Sequence, residues 1–365
     1  MDNRRLSLWA AALIGAALTG LLLLWADAAC VHASTIRPRT TAAVVTDTDR
    51  MIWDADGINP GDDRYPDVAY NSQDDEYLVV FEWEDTGSGG GRDLASIVVD
   101  SNGQAALSPN GVATSDIYTD TRPAVAYNPT NNTYLVVWER SPGSDGSKDI
   151  WGAILHSSGA VSGTAFAIDT TGTAQEYPDV AYSTAVGRYL VVYEDNLGAE
   201  PPNIWSRSLD DLGSSGQFRL ISGDVAAQTR PAVAANGSNG RWLVAWRDSR
   251  DYATTGYDIY VQQVQFSAPS LSLWGGQLHI GAFWGYADQP DVAWGQIGSG
   301  DGEFLTVWAE NDLVYGQRVA ADSVLAGDVI SVSTDHDSNK YVPAVAFDSV
   351  DKAWWVAWAD DRDYG

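Results

Sequence analysis

The chain has 365 residues, a net charge of -28 at pH 7 and a single cysteine, Cys30. So acidic a surface repels nucleic acid and anionic membranes and favours cations or basic partners. A lone cysteine excludes an intrachain disulfide framework, and a chain of this length buries enough surface to do without one.

At the N-terminus Arg4 and Arg5 precede an apolar run from Leu6 to Trp25, and Val31, His32 and Ala33 offer a cleavage site of the A-x-A kind. Residues 1–33 therefore read as an export signal. About 20 apolar residues also suffice to span a bilayer, so a retained anchor is the alternative. Lipid attachment at Cys30 is a third reading, weakened by Asp27 where an apolar residue is usual. In each case the remainder lies outside the cytoplasm, with 34–50 as a linker and 51–365 as the folded domain.

Next comes "DADGINPGDD", which sets Asp54, Asp56 and Asp63 at the third, fifth and twelfth positions of an EF-type loop around Gly57. Carboxylates at that spacing suit Ca²⁺. Ile52 in the first position and Pro60 in the ninth favour an ordinary Asp-Gly turn instead. No other cofactor is expected.

From there the chain repeats one phrase. "YPDVAY", "RPAVAY", "YPDVAY", "RPAVAA", "QPDVAW" and "VPAVAF" are centred on Pro66, Pro123, Pro178, Pro231, Pro290 and Pro343, about 53 to 59 residues apart. Each is followed by a "YLVVW"-like block, then by a third such as "DIWGAIL" or "DIYVQQV", then by a short fourth such as "FAIDT". These blocks are rich in Val, Ile, Tyr and Trp and bounded by Gly, Asn, Asp, Ser and Pro, so each reads as a strand. Four antiparallel strands per repeat predict an all-β fold, a β-propeller. A lone sheet with "YLVVW" inside exposes apolar surface on both faces and must be sandwiched by neighbours. Phe81, Trp138, Tyr193, Trp246, Trp308 and Trp358 are the expected wedges between blades.

Five units are complete and the sixth stops after two strands, at "WADDRDYG". Six blades are expected, closed by the N-terminal segment with Val44 in the third strand and Ile52 in the outer one. A seven-bladed ring or a truncated larger propeller is the alternative.

The phrases "PAVAYN", "YLVVW" and "DIYVQQV" resemble those of secreted bacterial β-propeller repeat proteins, loosely akin to the kelch and sialidase-type propellers. The resemblance spans about residues 51–365 and implies architecture more than activity. The Asp-box of sialidase-type propellers, S-x-D-x-G-x-T-W, is not reproduced, and "SPGSDGSKDIW" from Ser141 only echoes it.

In propellers the loops between second and third strands and those leading into the first share one face. Here that face is acidic and carries Tyr252, Trp284 and Tyr286, which makes it the expected partner surface. The residue after the proline alternates Asp67, Ala124, Asp179, Ala232, Asp291, Ala344, while Arg122 and Arg230 precede the proline in two alanine-bearing units. As chemistry, this is a cation or ligand site, or a set of hydrolytic carboxylates with Glu176 as a further acid. As architecture, Asp bonds the backbone of the next blade and Arg pairs with Asp, the alternation recording duplication of a two-blade unit. The architectural reading is preferred, since three equivalent aspartates offer no reason for their pKa values to separate. His156, His279 and His336 are scattered over different units, and there is no G-x-S-x-G elbow or phosphate loop. The expected function is an exported, non-catalytic propeller that binds a glycan, peptide or extracellular protein partner. The alternative is a glycan-cleaving hydrolase or lyase.

Overall fold

The computed structural model describes residues 64–361 apart from 85–90, 107, 115–117, 143–146, 172–173, 197–199, 282–284, 298–299, 335 and 337. It also describes the strands Trp9–Ala10, Leu23–Leu24 and Cys30–Ile36. Five four-stranded antiparallel sheets follow one another, each taking its strands in chain order from one edge to the other. Their first strands are Arg64–Asn71, Thr119–Asn128, Ala174–Ser183, Gln228–Ala235 and Asp288–Gly295. A sixth sheet begins with Lys340–Asp348 and Ala353–Asp360. The six first strands lie side by side in sequence, so the inner edges of the sheets gather around a common axis.

The first hairpin of a sheet opens on a side chain that caps its own turn. Asn71 accepts the backbone N–H groups of Gln73 and Asp74, Asn128 those of Thr130 and Asn131, and Asp348 those of Val350 and Asp351. The turn closes through a left-handed residue, as at Asp75, Asn132 and Lys352.

Packing runs from sheet to sheet. Leu78, Val80 and Leu94 of the first sheet meet Tyr134, Val136 and Trp138 of the second. Leu135, Val137 and Ile150 of the second meet Tyr189, Val191 and Tyr193 of the third. The same arrangement continues through the sixth sheet. The six expected wedges are buried, from 0 % exposed at Trp138 and Trp246 to 5 % at Trp358. Four of them have their polar tips satisfied inside the core: Trp138 donates to Asp120, Trp246 to Asp248, Trp308 to Glu310 and the Tyr193 hydroxyl to Asp169. Part of the acidic composition thus serves packing.

Closure differs from the sequence expectation. The third strand of the last sheet is Cys30–Ile36, antiparallel to Ala353–Asp360 with Ala33 opposite Ala357. The β-branched Val31, Thr35 and Ile36 suit a strand. Val44 and Ile52, the segments expected to close the sheet, lie outside the described residues. Among the described residues no helix is long and apolar enough to cross a membrane, and most of the run from Leu6 to Trp25 lies outside them.

Candidate active site at the axial mouth

The alternating aspartates line the axis. Asp67 accepts the N–H of Val125 in the next sheet at 2.7 Å, Asp179 that of Val233 at 2.6 Å and Asp291 that of Val345 at 2.7 Å. Each also accepts the N–H of the residue after it, Val68, Val180 or Val292. An innermost strand has no neighbour to take up its inward N–H groups. One carboxylate satisfies two such donors, so three aspartates serve six sheets and alanine suffices in between. Each aspartate is half-buried as a residue, but protein around the axis desolvates its carboxyl. Burial pushes Asp67 up to about 6 and Asp291 up to about 7 despite these hydrogen bonds. Asp179 is likewise raised well above the ordinary carboxylate range, by burial and then by the charges of Asp67 and Asp291.

Two residues earlier each first strand is bulged, and the residue before the proline is left-handed. Tyr65, Arg122, Tyr177, Arg230, Gln289 and Val342 have φ between 49° and 53°. Such a conformation costs about 1–3 kcal/mol outside glycine and must be held by its surroundings. It is held by the preceding sheet: Glu82 accepts the N–H of Arg122, Glu139 that of Tyr177, Glu194 that of Arg230 and the Gln289 side chain that of Val342. The kink also turns Arg122 and Arg230 away from the axial aspartates, so the expected pairing with Asp forms only for Arg230, and with a different aspartate. Arg122 lies between the rings of Tyr65 and Tyr177, 4.4 and 4.2 Å from their centroids, and pairs with Glu139 at 3.4 Å. Arg230 pairs with Asp288, which also takes Arg247.

The glutamates were visible in the sequence as the residue after each wedge: Glu82, Glu139, Glu194, Arg247, Ala309, Ala359. This position stands opposite Arg64, Thr121, Glu176, Thr229, Asp288 and Tyr341 respectively. Only in the third sheet do two carboxyls face each other, Glu176 and Glu194. Like charges directly opposed cost stability. Directly paired residues hold their Cβ atoms about 5 Å apart on one face of the sheet.

The two differ in environment. Glu176 is one-third exposed and bonded to Lys148 at 2.5 Å. Glu194 is buried and, among the described residues, has no ion pair, whereas Glu82 pairs with Arg92 and Glu139 with Lys148 and Arg122. Burial pushes the Glu194 carboxyl up to about 7. The Arg230 N–H and the Arg247 charge pull it down, and the charges of Glu176 and Glu139 add to the rise.

Beside Arg247 stand three tyrosines. Tyr252, Tyr257 and Tyr286 pack ring against ring with centroids 5.0 to 6.0 Å apart. Of the residues expected to form the site, Asp67, Asp179, Asp291, Glu176, Arg122 and Arg230 are thus gathered at the axis and its mouth, with Tyr252 and Tyr286 at the rim. Trp284 lies outside the described residues, as do Asp54, Asp56 and Asp63 of the expected calcium loop. Among the described residues no cluster of His, Cys, Asp and Glu has the arrangement of a metal site.

No family model and no curated protein sequence matches this chain. Solved structures do. A Hadza microbial sialidase is similar at a TM-score of 0.54 and 11% identity, over 83% of this chain and 66% of that one. A mutant of NanB sialidase from Streptococcus pneumoniae matches at 0.52 and 8%, over 88% and 71%. An alpha-L-arabinofuranosidase from Fusarium graminearum matches at 0.51 and 12%, over 82% and 92%. The chain is a propeller-type repeat protein, all-β, built from repeated four-stranded blades. Identities this low speak for the fold.

Proposed function

We propose that this protein is an exported, six-bladed propeller hydrolase that cleaves a glycan at the axial mouth, with Glu194 and Glu176 as its working carboxyls. The observation that carries the reading is the opposed pair itself, one member buried without a counter-ion and the other held by an ammonium. Glycoside hydrolysis calls for two carboxyls in unlike environments. With a pKa of about 7, Glu194 keeps a proton to give at neutral pH. It protonates the glycosidic oxygen as the bond from that oxygen to the anomeric carbon breaks. Glu176, bonded to the Lys148 ammonium, faces the oxocarbenium charge that develops on the sugar and stabilises it while water attacks the anomeric carbon. Water supplies the hydroxyl that remains there and returns the proton to Glu194.

The activities named for proteins of similar fold, a sialidase and an arabinofuranosidase among them, favour cleavage over the binding-only role expected from sequence. The leader supports export, and the shared use of each axial aspartate by two blades supports an even-numbered ring. A panel of oligosaccharides and polysaccharides scored for released product tests the reading. Product is expected from wild type, with kcat/KM falling as pH rises through about 7. Retention of a glycan without any release, or full activity in Glu194→Gln, refutes it.

A further inference from the structure

We propose that Tyr252, Tyr257 and Tyr286 form a platform that leads an uncharged polysaccharide chain into the carboxylate pair. The inference rests on the hydrolase reading and deepens it, by naming the substrate as a neutral polymer rather than an acidic sugar or a single capping residue. Three features carry it.

The first is exposure. Tyr252 is 49 % and Tyr286 61 % exposed, whereas Trp246 and Trp308 of the same two blades are fully buried. A tyrosine ring offers an apolar face to the C–H side of a sugar and a hydroxyl to its rim. The hydroxyls of Tyr252 and Tyr286 stand 3.5 Å apart along one edge of the patch.

The second is preorganisation. The two loops that carry the rings are locked together before any ligand arrives. Gly256, with φ at 88°, lies so close to Gly285 that a Cβ would meet its carbonyl oxygen at 2.5 Å, and the N–H of Ala287 donates to the carbonyl of Tyr257. The 249–257 loop is further tied by Tyr252 N–H to Ser249 and by the Thr255 hydroxyl to Asp258. A platform held this way loses little conformational entropy on binding.

The third is continuity and charge. The Arg247 guanidinium lies 4.4 Å over the Tyr257 ring and shares Asp288 with Arg230, whose own N–H is held by Glu194. The rings and the acid are therefore joined by one chain of contacts. Along it Arg122 is held by Glu139, and Arg247 and Arg230 share the carboxylate of Asp288. A carboxylated sugar meets a strongly acidic protein around these engaged arginines. An uncharged chain avoids that repulsion.

The test uses the full chain carrying Glu194→Gln, run by affinity electrophoresis through gels containing linear arabinan, linear galactan or polygalacturonate. Retardation by at least one neutral polymer, none by polygalacturonate, and a roughly tenfold weaker retardation on adding Tyr252→Ala with Tyr286→Ala are expected. Both rings are exposed, so the melting temperature should not move, and Tyr252→Phe with Tyr286→Phe should restore most of the binding. Equal retardation of the alanine variant, preference for polygalacturonate, or no retardation by either neutral polymer overturns the platform. The two readings fail separately. Tyrosine-dependent binding by an active-site wild type that releases no product sinks the hydrolase alone. Release from arabinan or galactan with an unchanged KM in the alanine variant sinks the platform alone.

Discussion

Two positions in the repeat, one on the first strand and one at the end of the second, have had opposite histories. The residue after the proline keeps a strict two-blade alternation of Asp and Ala, and its three carboxylates do the same job three times, each bonding two inward N–H groups. The residue after the wedge aromatic begins as Glu82, Glu139 and Glu194 and then becomes Arg247, Ala309 and Ala359. All three glutamates hold the backbone of the next blade, yet among the described residues only Glu194 does so without an ion pair and opposite another carboxyl. Preserved symmetry here marks support, and broken symmetry marks the place where the proposed hydrolysis is set.

That division predicts how mutations should sort. The largest effect belongs to Glu194→Gln, expected to lower kcat by roughly 10²- to 10⁴-fold while the melting curve stays close to the parent's. Next is Trp246→Ala, which empties a fully buried wedge and removes one of the donors to Asp248; about 3–5 kcal/mol should be lost in a denaturant titration. A melting curve indistinguishable from the parent's would remove the wedge from the account of blade packing. Asp179→Ala leaves the N–H groups of Val180 and Val233 without their acceptor, at about 1–3 kcal/mol each. It should lower stability and spare turnover; loss of turnover at full stability would erase the distinction between the two positions.

The smallest effect is a pH dependence of stability. Asp67 and Asp291 titrate near 6 and 7 in the fold, above the ordinary value of 3.8, so the folded protein keeps protons that the unfolded chain has released. Their contribution is complete below about 4 and is lost as pH rises through 6 to 7. Melting temperature should accordingly be higher at pH 4.5 than at pH 7.5, with the difference reduced in Asp67→Asn. A flat profile would mean that the axial carboxyls are better solvated than their burial indicates.

Blade architecture could be read directly from the chain because one phrase recurs six times and each recurrence carries its own turn residues. The Asp/Ala alternation was equally visible, but its cause was not: it depends on one carboxylate reaching the next sheet, a contact between residues 58 positions apart in the first instance. Glu176 was singled out for its place ahead of Pro178, whereas Glu194 looked like the tail of a strand. Only the pairing of the third sheet's first two strands, with its two-residue bulge, sets them face to face. Arg122 and Arg230 were expected to answer the axial aspartates, and the left-handed backbone before each proline sends Arg122 to Glu139 and two tyrosine rings and Arg230 to Asp288 instead. Nothing in the local sequence announces that conformation, since it is imposed by an acceptor from the neighbouring blade.

The same kink has an evolutionary consequence. Because proline on one side and, at Arg122, Tyr177, Arg230 and Val342, a neighbour's acceptor on the other hold the backbone, the kink at these four positions does not depend on which side chain stands there. Tyrosine, arginine and even the β-branched Val342 all occupy them. The propeller therefore offers, around one opening, a set of sockets into which new recognition groups can be placed one at a time while the scaffold beneath them stays the same.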